Sequence, residues 1–163
     1  EKPCTVQWTG EKKDLAILLV TKGYWESRFA KNVHEGKCKF YECDPHTNKD
    51  GSITHRARTP WQMQLTSFVK KDEWDRMNGA TQEATNTAAS VAARILSRAF
   101  TRCHNGIYGA ISGYAGNMGC SWTGVANRFD TFKKLKAKSD DDLKKASRSE
   151  QEKLEARLKA RKR

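Results

Sequence analysis

A chain of 163 residues is long enough for one domain with a real core and an appended tail. Its formal net charge of +12 implies an anionic partner: nucleic acid, an acidic membrane surface, or an acidic polymer such as a bacterial wall. No apolar run approaches the roughly 20 residues of a bilayer-crossing helix, which argues against a transmembrane segment. No signal peptide is visible; removal of a leader and trimming of the chain both account for a start at Glu1 rather than Met.

Taken in order, residues 1–10 read as irregular, with Thr9 a candidate N-cap and Glu11 in the first turn of a helix over about 11–25. Its stripe is expected to bury Leu15, Leu18 and Leu19 and to fade at Lys22, before Glu26. A carboxylate at that helix end, flanked by Tyr24, Trp25 and Phe29, is expected in apolar surroundings, which disfavour the ionised form. A Glu kept protonated near neutral pH can give a proton to a leaving group. The plain alternative is a solvated residue at a helix end. Residues 30–60 are polar, and Asp50-Gly51 followed by Ser52-Ile53-Thr54 signals a β-hairpin lobe. Residues 62–77 read as one or two short helices, ended near Asn78-Gly79.

Residues 81–103 are the clearest helix, with Ala88, Val91, Ala92, Ile95, Leu96, Ala99 and Phe100 at helical spacing and His104-Asn105-Gly106 as its stop. A short apolar helix over 107–114, a Gly-rich turn and a helix over 122–135 follow. From Ser139, with Asp142 at the capping-box position, a charged helix is expected on or beside the domain. This tail holds nine Lys and Arg against six acids, so +9 of the net charge belongs to the rest of the chain. The class is α+β, mainly α.

There are five cysteines: Cys4, Cys38, Cys43, Cys103 and Cys120. The odd count leaves a free thiol or an intermolecular bond. Cys38–Cys43 and Cys103–Cys120 are the shortest-loop pairings, and their formation would mean work outside the reducing cytosol. His34, Cys38, Cys43 and His46 also offer two thiolates and two imidazoles, a donor set that suits tetrahedral zinc. The short, non-standard spacing favours a disulfide-closed loop and no metal.

Three short motifs occur in order: Glu26-Ser27, then Trp61-Gln62-Met63-Gln64-Leu65, then Ala110-Ile111-Ser112-Gly113-Tyr114-Ala115-Gly116. Over about residues 11–130 the chain resembles the soluble lytic transglycosylase and goose-type branch of the lysozyme-like superfamily. That branch has Glu-Ser at a helix end, a Gly-Leu-Met-Gln-like element after a polar β-lobe, and a Tyr-Asn-Ala-Gly-like element later. Here Trp61 stands in place of Gly, Gln62 in place of Leu, and Ala115 in place of Asn, with Asn117 close by. The resemblance implies a lysozyme-like catalytic domain over 1–138 and a charged helical tail over 139–163. It implies cleavage of the MurNAc–GlcNAc β-1,4 bond of peptidoglycan glycan strands by a monomer in the periplasm or outside the cell, without cofactor or nucleic acid.

By that resemblance Glu26 is the general acid, then the base, and the sugar's own 6-hydroxyl attacks to leave a 1,6-anhydro end. Ser27, Trp61, Met63, Gln64, Tyr114 and Asn117 become groove residues, with Gln64 on sugar and Tyr114 orienting the Glu26 carboxylate. A hydrolase instead adds a second carboxylate, about 5 Å away for retention or about 6.5–9.5 Å for inversion. Asp44 and Asp50 are the acids best placed for that role, Asp50 being the first to test; Glu42 and Asp44 flank Cys43 in a loop expected to be tied away from the groove. A basic nucleic-acid-binding protein is the rival from another class, though no such signature is present.

Overall fold

Residues 7–66, 68–115 and 119–161 are described by the computed structural model, with side chains described to residue 153, residue 151 excepted. Cys4, Asn117 and the side chains of Leu154 and Leu158 lie outside the described residues. The helices are α1 (Lys12–Ser27), α2 (Lys31–His34), α3 (Lys71–Arg76), α4 (Gln82–Arg102), α5 (Ile107–Tyr114) and α6 (Ala126–Arg161). Four short strands, β1 (Pro45–Thr47), β2 (Ile53–His55), β3 (Ala57–Arg58) and β4 (Met63–Gln64), make two antiparallel pairs. The fold is mainly α, as the helical spacings require.

Helix α4 is central because its apolar residues cover more than one side. Leu96 and Phe100 join Ile17 and Leu18 of α1, Ala110 and Ile111 of α5, and Val125 and Phe132 in one cluster. Ala88, Val91 and Ala92 join Trp61, Met63, Val69, Trp74 and Met77 in a second. The Thr81 hydroxyl accepts the Ala84 N–H and caps α4 at its start. At the other end His104 and Asn105 take left-handed backbone, and the Asn105 N–H returns to the Phe100 carbonyl at 2.8 Å. Ile95 alone of the expected stripe is half-buried, and it lines a cleft described below.

Four expectations change. First, α1 packs against both α4 and α6, so its buried surface is wider than one stripe. Ile17, Leu18, Thr21, Lys22 and Gly23 are buried, while Leu15 and Leu19 are half-buried. The N-cap is Glu11 rather than Thr9. Second, Met63 and Gln64 are a strand, paired with Arg58 and Ala57, so among the described residues of 62–77 only Lys71–Arg76 is helical. Two strand residues carry no period that would distinguish them from a helical turn. Third, the later helix starts with a one-turn 3-10 segment, Thr123–Val125, ahead of α6. Fourth, α6 passes through Ser139 without a break, so the expected cap there is absent. Lys136 to Asp14 at 2.6 Å, and Lys13 to Asp140, tie this stretch of α6 to α1.

The hairpin is present in the expected place: Asp50 Oδ1 accepts the Ser52 N–H at 3.0 Å and its hydroxyl at 2.6 Å. Cys38–Cys43 and Cys103–Cys120 are disulfides, with sequence separations of 5 and 17. Loop-closure entropy makes the longer loop the more stabilising. Cys103→Ser is therefore expected to cost about 3 kcal/mol and Cys43→Ser about 2 kcal/mol. Urea titrations of the two variants check the order; equal or reversed losses would contradict it.

Candidate active site

Glu26 occupies the last turn of α1, and the chain reverses directly after it. Arg28 and Phe29 both have left-handed backbone, at φ 55° and 52°. The reversal lays the Phe29 ring on Gly23, where a Cβ would come within 2.4 Å of it. Gly23 is thus needed for a close approach and not for a turn. The Ser27 hydroxyl donates to the Gly23 carbonyl at 3.1 Å and accepts the Phe29 N–H at 3.2 Å, so it braces the same reversal.

The surroundings of Glu26 are cationic, in place of the apolar setting expected. Lys22 Nζ lies 2.6 Å from Glu26 Oε1, and the Arg128 guanidinium reaches the same oxygen at 2.7 Å. Among the described residues no donor reaches Oε2. One carboxylate oxygen is therefore anchored by two cations and the other by none of the described side chains. Lys22 itself is fully buried, with its ammonium 4.4 Å from the centre of the Tyr114 ring. Burial pushes the Lys22 amine down from its usual 10.5 to about 8; Glu26 opposes that fall and Arg128 adds to it.

Tyr114 stands beside this pair, but its hydroxyl donates to the Trp61 carbonyl at 3.1 Å. The groups that orient Glu26 are thus Lys22 and Arg128, with Tyr114 as the wall behind Lys22. Burial first, and the Glu26 charge second, push the Tyr114 phenol well above its ordinary value. It is a neutral hydrogen-bond donor at any working pH.

Two hollows meet at Glu26 and Gln62. The larger, about 530 Å³, lies toward α4 and α5 and is lined by Met63, Gln64, Phe68, Ile95, Arg98, Arg102, Tyr114, Trp122 and Arg128 among others. The smaller, about 400 Å³, lies toward the β-lobe, against Trp25, Ser27, Arg28, Tyr41, Glu42 and Asp44. Hollows of this size are in the range of ligand-binding clefts, and both arms here are lined by charged side chains as well as apolar ones.

The remaining candidates divide between cleft and core. Gln64 is exposed in the cleft and its amide donates to Asp44 Oδ2 at 2.8 Å. Met63 is 2 % exposed and belongs to the core, although one edge reaches the cleft. Trp61 is buried, bonds the Leu19 carbonyl at 2.9 Å, and lines neither hollow. Asp50 is held in the hairpin turn and also lines neither. Asp44 and Glu42 do line the smaller hollow, so the disulfide at Cys43 ties that loop against Glu26 rather than away from it. His34 bonds Thr85 and His46 bonds Arg56, with both loop thiols in the disulfide.

Strain gathers here. Among the described residues, eight that are not glycine have positive φ, and four of them line the cleft: Arg28, Cys43, Asp44 and Gln62. Thr59, which precedes Gln62 in the same turn and accepts its N–H at 3.0 Å, is β-branched with φ 69°, a true outlier for such a residue. Such conformations persist only where surrounding structure enforces them, and they cluster at functional sites.

Sequence reasoning missed Lys22 and Arg128 as site residues. Lys22 carried a signal: a lysine inside an apolar stripe, four residues before Glu26, is spaced to pair with it. Arg128 carried none, because its partner is 102 residues away. No helix among the described residues is long and apolar enough to cross a membrane. No protein-family model, curated protein or solved structure matches the chain.

Proposed function

We propose that the chain cleaves the MurNAc–GlcNAc β-1,4 bond of bacterial peptidoglycan as a lytic transglycosylase, with Glu26 as general acid and then base. The observation that carries the reading is that Glu26 lines both arms of the cleft while Lys22 and Arg128 hold only its Oε1. The three motifs that resemble the lysozyme-like superfamily supply the reaction class. Protonated on Oε2, Glu26 keeps both cation contacts on Oε1, so gaining and losing the proton need not move it. The departing glycosidic oxygen takes that proton, the sugar's 6-hydroxyl closes on C1, and the carboxylate receives the hydroxyl's proton. An attacking group already on the substrate has a large entropic advantage over bulk water. Two disulfides favour a place outside the reducing cytosol. Release of soluble fragments from purified peptidoglycan tests the reading; a folded protein that releases none would end it.

A hydrolytic muramidase is the second reading, favoured by the position of Asp44 in the smaller hollow. It makes Asp44, not Asp50, the residue to hold a water. Asp50→Asn is expected to leave cleavage within about twofold, since Asp50 serves the turn. If water is the nucleophile, Asp44→Asn lowers the rate by about 10²-fold or more. If the 6-hydroxyl is the nucleophile, Asp44→Asn acts mainly on KM through the lost Gln64 contact.

A further inference from the structure

The two arms of the cleft have opposite charge. Three arginines, Arg98, Arg102 and Arg128, line the larger arm against the single carboxylate of Glu26. Glu26, Glu42 and Asp44 line the smaller arm against Arg28 alone. Arg128 is consumed by Glu26. Arg98 and Arg102 are not consumed: they stand one turn apart on α4, both exposed, and among the described residues neither meets an acid. Arg94, one turn earlier on the same row, shows the contrast, since its guanidinium grips Glu73 at 2.7 and 2.6 Å and the Phe68 carbonyl at 2.9 Å.

The two free arginines are also pre-positioned. The Arg98 guanidinium lies over the Phe68 ring, 3.9 Å from its centre. The Arg102 guanidinium donates to the Gly113 carbonyl at 3.3 Å, at a spot where any side chain on Gly113 would crowd it. A stacked or tethered guanidinium loses little further freedom on meeting a carboxylate, and its fork suits that group.

We infer that Arg98 and Arg102 form a carboxylate-reading subsite, so that the cleft prefers a glycan bearing a free carboxylate on the α4 side of the cleaved bond, with uncharged sugar in the Glu42–Asp44 arm. The inference rests on the glycan reading of the cleft. It concerns which form of such a glycan is chosen. Like charges in the smaller arm repel the same polymer entering in the reverse direction, so charge sets orientation as well as affinity.

The test uses soluble peptidoglycan fragments in two forms, one with free carboxylates and one with those groups converted to methylamides. Binding is measured by calorimetry on the full chain carrying Glu26→Gln, which blocks turnover, and cleavage on the parental protein. The free form should bind at least about tenfold more tightly, as expected for a charge-assisted bond. Arg98→Gln with Arg102→Gln should erase that preference, chiefly through KM in the cleavage assay. Lys144→Gln with Lys145→Gln, which removes two exposed charges of α6 away from the cleft, should leave it intact. Equal binding of the two forms, or loss of preference in the Lys144/Lys145 variant, overturns the subsite even if cleavage proceeds. Preference without cleavage keeps the subsite and removes the catalytic reading. Tighter, Arg98- and Arg102-dependent binding of a short single-stranded oligonucleotide would overturn the subsite in favour of a nucleic acid.

Discussion

Glu26→Gln is expected to abolish wall cleavage, with a loss of at least about 10²-fold, the low end of what a positioned acid–base group supplies. The amide keeps the shape, and its oxygen can still accept from Lys22 and Arg128, which now both reach Oε1. What it cannot do is carry a proton to the departing oxygen. The charge balance also changes, because Glu26 is the main influence holding the proton on buried Lys22. Without it, Lys22 becomes neutral more readily, which spares the folded state an unpaired buried ammonium. The stability cost should accordingly stay at about 1–3 kcal/mol, the cost of weakened buried polar contacts. Circular dichroism and urea titration establish that the variant is folded. A folded variant with near-parental activity would remove Glu26 from the mechanism.

Lys22→Met is expected to separate stability from activity. A fully buried lysine is stable only because Glu26 partners it, and its desolvation still prevails, leaving the amine at about 8. Between about pH 8 and 10.5 the unfolded chain binds more of this proton than the folded chain does. Stability from this group therefore rises with pH across that window, and its full cost is present below about pH 8. A fall from 10.5 to about 8 corresponds to roughly 3 kcal/mol. Methionine matches the stem of lysine and leaves Glu26 half-exposed with Arg128, so no charge is stranded. Stability at pH 7 should match or exceed that of the parent. The pH-dependent difference between the two proteins should track the Lys22 titration. Activity should fall by about tenfold or more, because one of two contacts that fix Oε1 is gone. Urea titrations of both proteins from pH 7 to 10.5 provide the check. A difference that stays flat with pH would mean that Lys22 is not a buried titrating amine.

The elements with long, regular patterns were legible in the sequence. Helix α4, the short α5 with its bounds, and the hairpin around Asp50-Gly51 stand where composition and spacing put them. The short and irregular parts were not. Met63-Gln64 is strand because Ala57-Arg58 lies alongside, and that pairing is tertiary information. Thr59 and Gln62 adopt left-handed backbone that their residue types do not announce. At the site, Glu26 and its position at a helix end were readable, whereas the bracing of the reversal by Ser27 emerged only with the fold. The charge around Glu26 was not, because its neighbours in sequence are aromatic while its neighbours in space are Lys22 and Arg128. Tyr24 and Phe29 are both largely exposed, which shows how poorly sequence adjacency stood in for burial there. Trp61 and Met63, read as groove residues from motif resemblance, are anchors of the second core cluster, and their motif serves packing as much as the cleft.

On the proposed mechanism, Glu26 promotes attack by the substrate's own hydroxyl. Mass spectrometry of peptidoglycan digested in heavy-oxygen water tests it most directly, since anhydro and reducing ends differ by one water. The expected products are 1,6-anhydro ends that carry no heavy oxygen, formed by the parental protein and not by Glu26→Gln. Reducing ends that each carry one heavy oxygen would contradict that mechanism and make water, held by Asp44, the nucleophile.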